Sequence, residues 1–397
     1  MTLANGRPYL AIPGPSVMPD RVLAAMHRPA PNIYEGALPE MVETLWPDLR
    51  AVAGTAENVA LYIANGHGTW EAANANLFSR GDKALVLATG RFGHGWADSV
   101  RRMGVEVELL DFGTSTAPDM NRVEAALRAD TDHRIKALLA TQVDTSSSVK
   151  THIPALRAAL DAAGHPALLA VDCIASMGCD EYRMDAWGVD VTVAASQKGL
   201  MTPPGLGFVW FSEKARAACA APDLRTPYWD WAARADAAEF WQYWAGTAPT
   251  HHLFALREAL DMIAEESLPQ VWARHAALAR TVWAAFDAWG ADNPDIALNV
   301  AAPAARGHSV TAARLGAPHA TRLREWTEAQ GGVTLGIGLG MTPPDGWLRV
   351  AHMGHVNAHM TLGALAVIEA GLKALRIPHG DGALTAAAQV VADATRA

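Results

Sequence analysis

Lys198 stands between two apolar runs, in the stretch VAASQKGLMTPPGLGF that begins at Val193. Residues 189–195 read as one buried strand and 206–211 as the next, so the lysine lies where two core strands meet across a turn marked by glycine and proline. At the rim of a core a lysine is partly desolvated, its pKa falls, and its neutral amine becomes a nucleophile toward carbonyls. That is Schiff-base chemistry, and it needs partners.

The run Leu168-Leu-Ala-Val ends in Asp172, one connection and one strand before the lysine. An acid at a strand's carboxyl end is either a cap for the segment that follows or, facing the same crevice as Lys198, a carboxylate that keeps a cationic pyridine nitrogen protonated. Asn65-Gly-His-Gly-Thr69 follows the apolar residues 59–62 and leads into a helix, where backbone N–H groups and the helix dipole favour an anion. His67 there is either a turn residue or a ligand. Gln142-Val-Asp-Thr145 runs into three serines, which read as a solvated loop or as hydroxyls near a cofactor. Gly90-Arg-Phe92 offers a flat apolar ring. Four strand ends therefore converge on one site.

The elements that hold these groups are a regular series. Residues 83–88, 105–110, 136–140 and 167–171 read as buried strands, with helices at 95–103, 120–128 and 153–163 between them, the pattern of a mainly parallel α/β sheet covered on both faces. Ligands of such sheets bind at the carboxyl ends of the strands. Residues 226–244 carry four of the fourteen tryptophans and read as an excursion, either an interface or a satellite aromatic cluster. Two long helices follow at 252–265 and 268–289. A smaller α+β domain then closes the chain, with strands at 308–315 and 346–351 and helices at 321–329 and 361–375.

The 397 residues are half apolar and 18% charged, which suits a well-packed globular protein of more than one domain. A formal charge of −9 without lysine and arginine clusters argues against nucleic acid or an anionic membrane surface, and no run of about 18 apolar residues offers a membrane span. Three cysteines without paired spacing support neither a disulfide framework nor a metal site, and suit a reducing cytoplasm. Near the start, three prolines would break a signal helix. A small-molecule ligand is the expectation.

The block SQKGLMTPPG, supported in order by PGPSVMP, GHGTWEA, VDCIASMG and LRVAHMGHVN, resembles the class V aminotransferases of fold type I, in the branch of the alanine–glyoxylate and serine–glyoxylate enzymes, over essentially the whole chain. The resemblance implies an α/β large domain with a mainly parallel seven-stranded sheet over residues 19–270, a small C-terminal α+β domain over 271–397, and an N-terminal segment, 1–18, laid over the active site. It implies pyridoxal 5′-phosphate as cofactor, linked to Lys198, with Asp172 on the pyridine nitrogen and Phe92 stacked on the ring. Gly66, His67 and Gln197 fall on phosphate-binding positions, with Asn65 and Gly68 beside them. Thr247 would reach the phosphate from the other subunit of a homodimer, next to Trp244, which stands where many relatives have tyrosine. Thr145 matches a side chain near the ring, Arg349 the arginine that grips the substrate carboxylate, and Gly14 and Tyr34 substrate-side positions.

The implied reaction moves an amino group from a small L-amino acid, serine or alanine, to a 2-oxo acid, glyoxylate first. The rivals are a pyridoxamine–pyruvate type of aminotransferase and a lyase or desulfurase on the same scaffold, which would want a reactive cysteine at the site. Ser148 stands where glycine is common, and Asn32-Ile-Tyr34-Glu35 replaces a His-Arg pair of the serine–glyoxylate enzymes; both departures bear on substrate choice.

Overall fold

The alternation of apolar runs and amphipathic stretches becomes a seven-stranded sheet in the structure, a computed structural model that describes residues 2–220 and 222–396. From one edge the strands run Asn58–Ala64, Gly205–Phe211, Val191–Ala195, Leu168–Asp172, Ile135–Thr141, Lys83–Ala88 and Glu106–Asp111. Gly205–Phe211 is antiparallel to both its neighbours, and every other pairing is parallel. Leu168–Asp172 and Val191–Ala195 are buried at every position, as strands covered on both faces must be. At the far edge Glu106–Asp111 is half-buried with acidic ends, charges that discourage further pairing.

Two apolar cores lie on either side of this sheet and a third lies beneath a smaller one. The smaller sheet has the order Tyr9–Ala11, Val333–Ile337, Trp347–Ala351, Val310–Arg314, Ala297–Leu298. Helices His319–Gly331 and Ala358–Ala374 pack with it, and the long helix Leu268–Gly290 packs against the C-terminal helix Ala383–Ala394.

Three expectations are corrected here. The helix read at 95–103 begins earlier, at Arg91, so Phe92 lies in its first turn; its two glycines hide the start, and the groups that satisfy its first N–H groups come from a distant loop, since Phe92 and Gly93 donate to Asp144. The three serines are no solvated loop. Ser146, Ser147 and Ser148 are buried, because Asp144 accepts from the backbone N–H and the hydroxyl of Ser146 and small bridges tie Val143 to Lys150 and Val149 to Arg306. The tryptophan-rich stretch is mostly core. Trp231 stacks on Phe211 at 4.6 Å and Trp244 lies against Trp46, while Trp241 stays exposed.

The strands Tyr9–Ala11 and Val333–Ile337 and the last helix went unread. Tyr9–Ala11 has only three residues, and its partner Val333-Thr-Leu-Gly-Ile carries an internal glycine, so neither holds a period long enough to register.

Candidate active site

Five of the large sheet's segments open onto one cavity of about 280 Å³, close to the lower bound of about 300 Å³ for small-molecule sites. It is lined among others by Gly14, Asn65, Gly66, His67, Phe92, Thr145, Asp172, Gln197 and Lys198. A larger cavity, about 380 Å³, lies at the opposite end, against the strand starts Ile135 and Leu168. Its thiol, Cys219, is pushed up to about 12 by burial, so it carries no comparable reactivity.

Lys198 sits at the end of Val191–Ala195, in a turn closed by Ser196, whose hydroxyl donates to the Pro203 carbonyl at 2.6 Å and accepts from Leu206 N–H. Gly199 must follow it, because a Cβ there would lie 2.1 Å from the Met177 carbonyl oxygen. The N-terminal segment closes over the lysine: Ser16 donates its hydroxyl to the Lys198 carbonyl at 2.7 Å, and Lys198 Nζ donates to the Pro13 carbonyl. Gly14 has φ +101°, and a Cβ on it would meet Lys198 Cε and Nζ at 2.6 Å, so only glycine allows this approach.

Lys198 is 8% exposed. Burial, then the positive charge of Arg349, pull its amine down to about 8, against the opposing pull of Asp172 and Cys179. In cofactor-free protein the rate at which Lys198 captures an aldehyde such as pyridoxal 5′-phosphate should therefore rise with pH through about 8 and level off above it. Stopped-flow absorbance across that range checks this, and a rate still climbing past pH 10 would mark an ordinary lysine.

Asp172 ends Leu168–Asp172, paired in register with Thr141 on one side and Val193 on the other. Its Oδ1 accepts from the Ile174 N–H at 2.7 Å, and Oδ2 from the indole Nε1–H of Trp70 at 3.0 Å. Both readings of this acid therefore hold in part: it shapes the turn after the strand, and it faces the cavity. Burial pushes the carboxyl up to about 7; the two N–H donors and Lys198 work against that, while Asp144 adds to it.

The Asn65 loop differs in detail from its expected form. Asn65 caps the helix Gly66–Leu77, its Oδ1 accepting from His67 N–H at 3.1 Å and Gly68 N–H at 3.3 Å. Those two donors are thus turned toward a side-chain oxygen of the chain itself. Gln197 lines the cavity, and its side-chain Oε1 is buried without a hydrogen-bond partner. His67 lays its ring against Trp70 at 4.8 Å and lies 6.5 Å from Phe92.

Arg349 is 6% exposed. It donates Nε to the Ile337 carbonyl at 2.8 Å and Nη1 to the Thr145 carbonyl at 2.9 Å, linking the small sheet to the cavity wall. Burial brings its guanidinium down to about 10, with Asp144 opposing and Arg324 adding to the shift.

Five expected site residues do not line this cavity within the chain: Gly68 and Arg349 stand behind it, bonded to Asn65 and Thr145, and three others lie away from it. Tyr34 is 87% exposed, and Thr247 is exposed on the loop after Trp244. Trp244 is enclosed by Trp46, Tyr243 and Phe240. The structure adds Trp70, Val143, Ile174 and Pro204 to the lining, and Asp144 behind it. Trp70 stands inside a motif that was read for its glycines, and its one available signal is an indole one turn into a helix that starts at the site.

All three cysteines are free and buried, with thiols pushed up by burial, to about 12 for Cys179 and Cys219. No reactive thiol of the kind a desulfurase wants lines the cavity. Among the described residues no group of three or more metal-ligating side chains is gathered, and no helix is long and apolar enough to cross a membrane.

The model of the class V aminotransferases matches residues 9–343. A serine–glyoxylate aminotransferase of Methylorubrum extorquens is 35% identical over 97% of this chain and 96% of its own length. An L-aspartate–glyoxylate aminotransferase of Paracoccus denitrificans is 35% identical over 95% of this chain and 94% of its own. Among solved structures, a pyridoxamine–pyruvate aminotransferase from Mesorhizobium loti has a TM-score of 0.88 at 24% identity, covering 99% of this chain and 100% of that one. At that identity the likeness shows the fold, fold type I, and nothing finer.

Proposed function

The chain belongs to the class V aminotransferase family, and from that premise we propose that it moves an amino group from a small L-amino acid, serine or alanine, to glyoxylate, using pyridoxal 5′-phosphate linked to Lys198. The observation that carries the reading is a buried lysine, its amine drawn down to about 8, in one cavity with a buried carboxylate and an aromatic ring. Serine rests on the names of the relatives, which cover nearly the whole chain.

The residues present fit the cofactor. Lys198 would hold its aldehyde carbon, Asp172 its ring nitrogen, and Phe92 its face. Asn65, Gly66, His67 and Gly68 at a helix N-terminus, with the side-chain amide N–H of Gln197, would hold the phosphate. Thr145, in the cavity wall, would stand near the ring. When bound, the cofactor supplies a sink for the electron pair left at the substrate's Cα.

The chain's own work is in placing protons and charge. Lys198 Nζ, once released, carries the proton taken from Cα, and its lowered basicity leaves it neutral often enough to do so near neutral pH. Asp172, ionised beside a cationic nitrogen, holds that nitrogen's proton. Gly14 and the segment around it keep water from the amine.

A homodimer with shared sites belongs to the same proposal, with Thr247 on an exposed loop free to reach a partner's phosphate and Tyr34 exposed toward a partner. So do the division into an N-terminal segment, 1–18, a large domain, 19–270, and a small domain, 271–397, and a place in the reducing cytoplasm that suits free thiols. Borohydride reduction of the loaded protein followed by peptide mapping tests the central assignment: label on any lysine other than Lys198 would end it. A panel of amino donors against glyoxylate and pyruvate tests the substrates.

Arg349 gives a prediction separate from the cofactor. Arg349→Ala should keep the bound cofactor's absorbance while losing about 2–4 kcal/mol in kcat/KM, mostly through KM, because a carboxylate is gripped in ground and transition states alike. Arg349→Lys keeps the charge without the forked geometry and should recover only part of the loss. Amino and oxo acid should both suffer; wild-type KM for both would take Arg349 out of the substrate site.

A further inference from the structure

We propose that Trp70 is a positioning residue for the reaction, acting through Asp172: its indole N–H fixes carboxylate Oδ2 and favours the ionised carboxylate. What Asp172 then does for the ring nitrogen rests on the function proposed above; the contact does not.

Trp70 and Asp172 are 2% and 3% exposed. The indole stacks on Trp96 at 6.0 Å with planes 8° apart, and meets the His67 ring on another side. Trp96 is anchored in turn, donating its own indole N–H to Asn74 Oδ1 at 2.9 Å, and Asn74 donates to the Ser99 hydroxyl at 3.2 Å. Trp70 therefore cannot swing away, and its N–H is aimed at a fixed point. An indole only donates. With Ile174 N–H on Oδ1 and Trp70 Nε1–H on Oδ2, a proton on either carboxylate oxygen competes with a donor already there, which disfavours the protonated acid.

Of the two donors Trp70 supplies the one from a side chain, so it can be removed without altering the backbone. The titratable groups facing Asp172 are Lys198, which favours its ionised form, Asp144, which opposes it, and the neighbouring Cys173, with His67 across the indole.

The test uses Trp70→Phe, which keeps a ring against Trp96 and removes the N–H. In cofactor-free protein carrying 13C-carboxyl aspartate, the Asp172 resonance, recognised by its loss in Asp172→Asn, should titrate about one pH unit higher in Trp70→Phe than in wild type. Trp283→Phe, which removes an indole N–H directed at Thr311 in the smaller sheet, should leave it in place. In the loaded enzyme Trp70→Phe should lower kcat about tenfold with the donor KM unchanged, and move the acid limb of the kcat profile to higher pH.

An unshifted Asp172 in Trp70→Phe, or equal shifts in both variants, would overturn the proposal. Should Trp70→Phe fail to fold, the wild-type indole 1H–15N resonance of Trp70 serves instead. It should move with pH over the range in which Asp172 titrates and lose that dependence in Asp172→Asn; an indole that ignores the carboxyl overturns the proposal. Because these resonances need no cofactor, a chain that shows the coupling but never transaminates would sink the functional reading and leave the contact standing.

Discussion

Lys198→Ala is expected to take up pyridoxal 5′-phosphate without the covalent link and to transaminate about 10⁴-fold more slowly. One amine holds the cofactor and also carries the proton, and alanine supplies neither role. The loss is specific in another way: the cavity keeps Asp172, Phe92 and the helix N-terminus at Gly66, so the cofactor still has its non-covalent contacts. Added small primary amines should restore part of the turnover, since the vacated volume lies under the Pro13 carbonyl and Gly14, where a free amine finds the same acceptor. Absorbance of the bound cofactor and kcat with and without methylamine measure both effects. Turnover within tenfold of wild type would show that another group moves the proton.

Asp172→Asn should bind cofactor and lose about 10² to 10³-fold in kcat, because an amide cannot hold the ring nitrogen's proton by charge. The structure adds a second consequence. Asp172 accepts from Ile174 N–H through one oxygen and from Trp70 Nε1–H through the other, and asparagine has a single acceptor oxygen. One buried N–H must then face the amide's own NH₂, at a cost of about 1–3 kcal/mol in folding stability. Urea unfolding and steady-state rates on one preparation separate the two effects. Full turnover with lowered stability would reduce Asp172 to a turn-forming residue; full stability would mean that the indole contact does not form.

Much of the site was legible because the strands announce it. Val191–Ala195 and Leu168–Asp172 are apolar at nearly every position, so the polar residue that ends each run stood out, and Asp172 and Lys198 could be placed in one crevice before any coordinates. The helix at Arg91–Arg102 was read four residues late, since a helix start satisfied from far away in sequence leaves no local mark, and here Asp144 is the supplier. For the same reason the serine run was misplaced. Three hydroxyls in a row look solvated until a buried aspartate organises them, and Ser148, at φ +61°, takes a backbone shape in which glycine would be the usual choice. Trp70 was hidden differently: a fully buried tryptophan on a helix is ordinarily packing, and only the direction of its N–H sets it apart.

The strand Tyr9–Ala11 lies parallel to Val333–Ile337, at the edge of the smaller sheet. It therefore precedes every strand of the large sheet along the chain and yet can be seated only after all of them, once Val333–Ile337 has been made. Until then the residues that cover Lys198 are held only by their contacts with the lysine's own turn, through Ser16 and the Pro13 carbonyl. Extending or trimming the chain at this strand would therefore disturb the cover of Lys198 as well as the sheet edge.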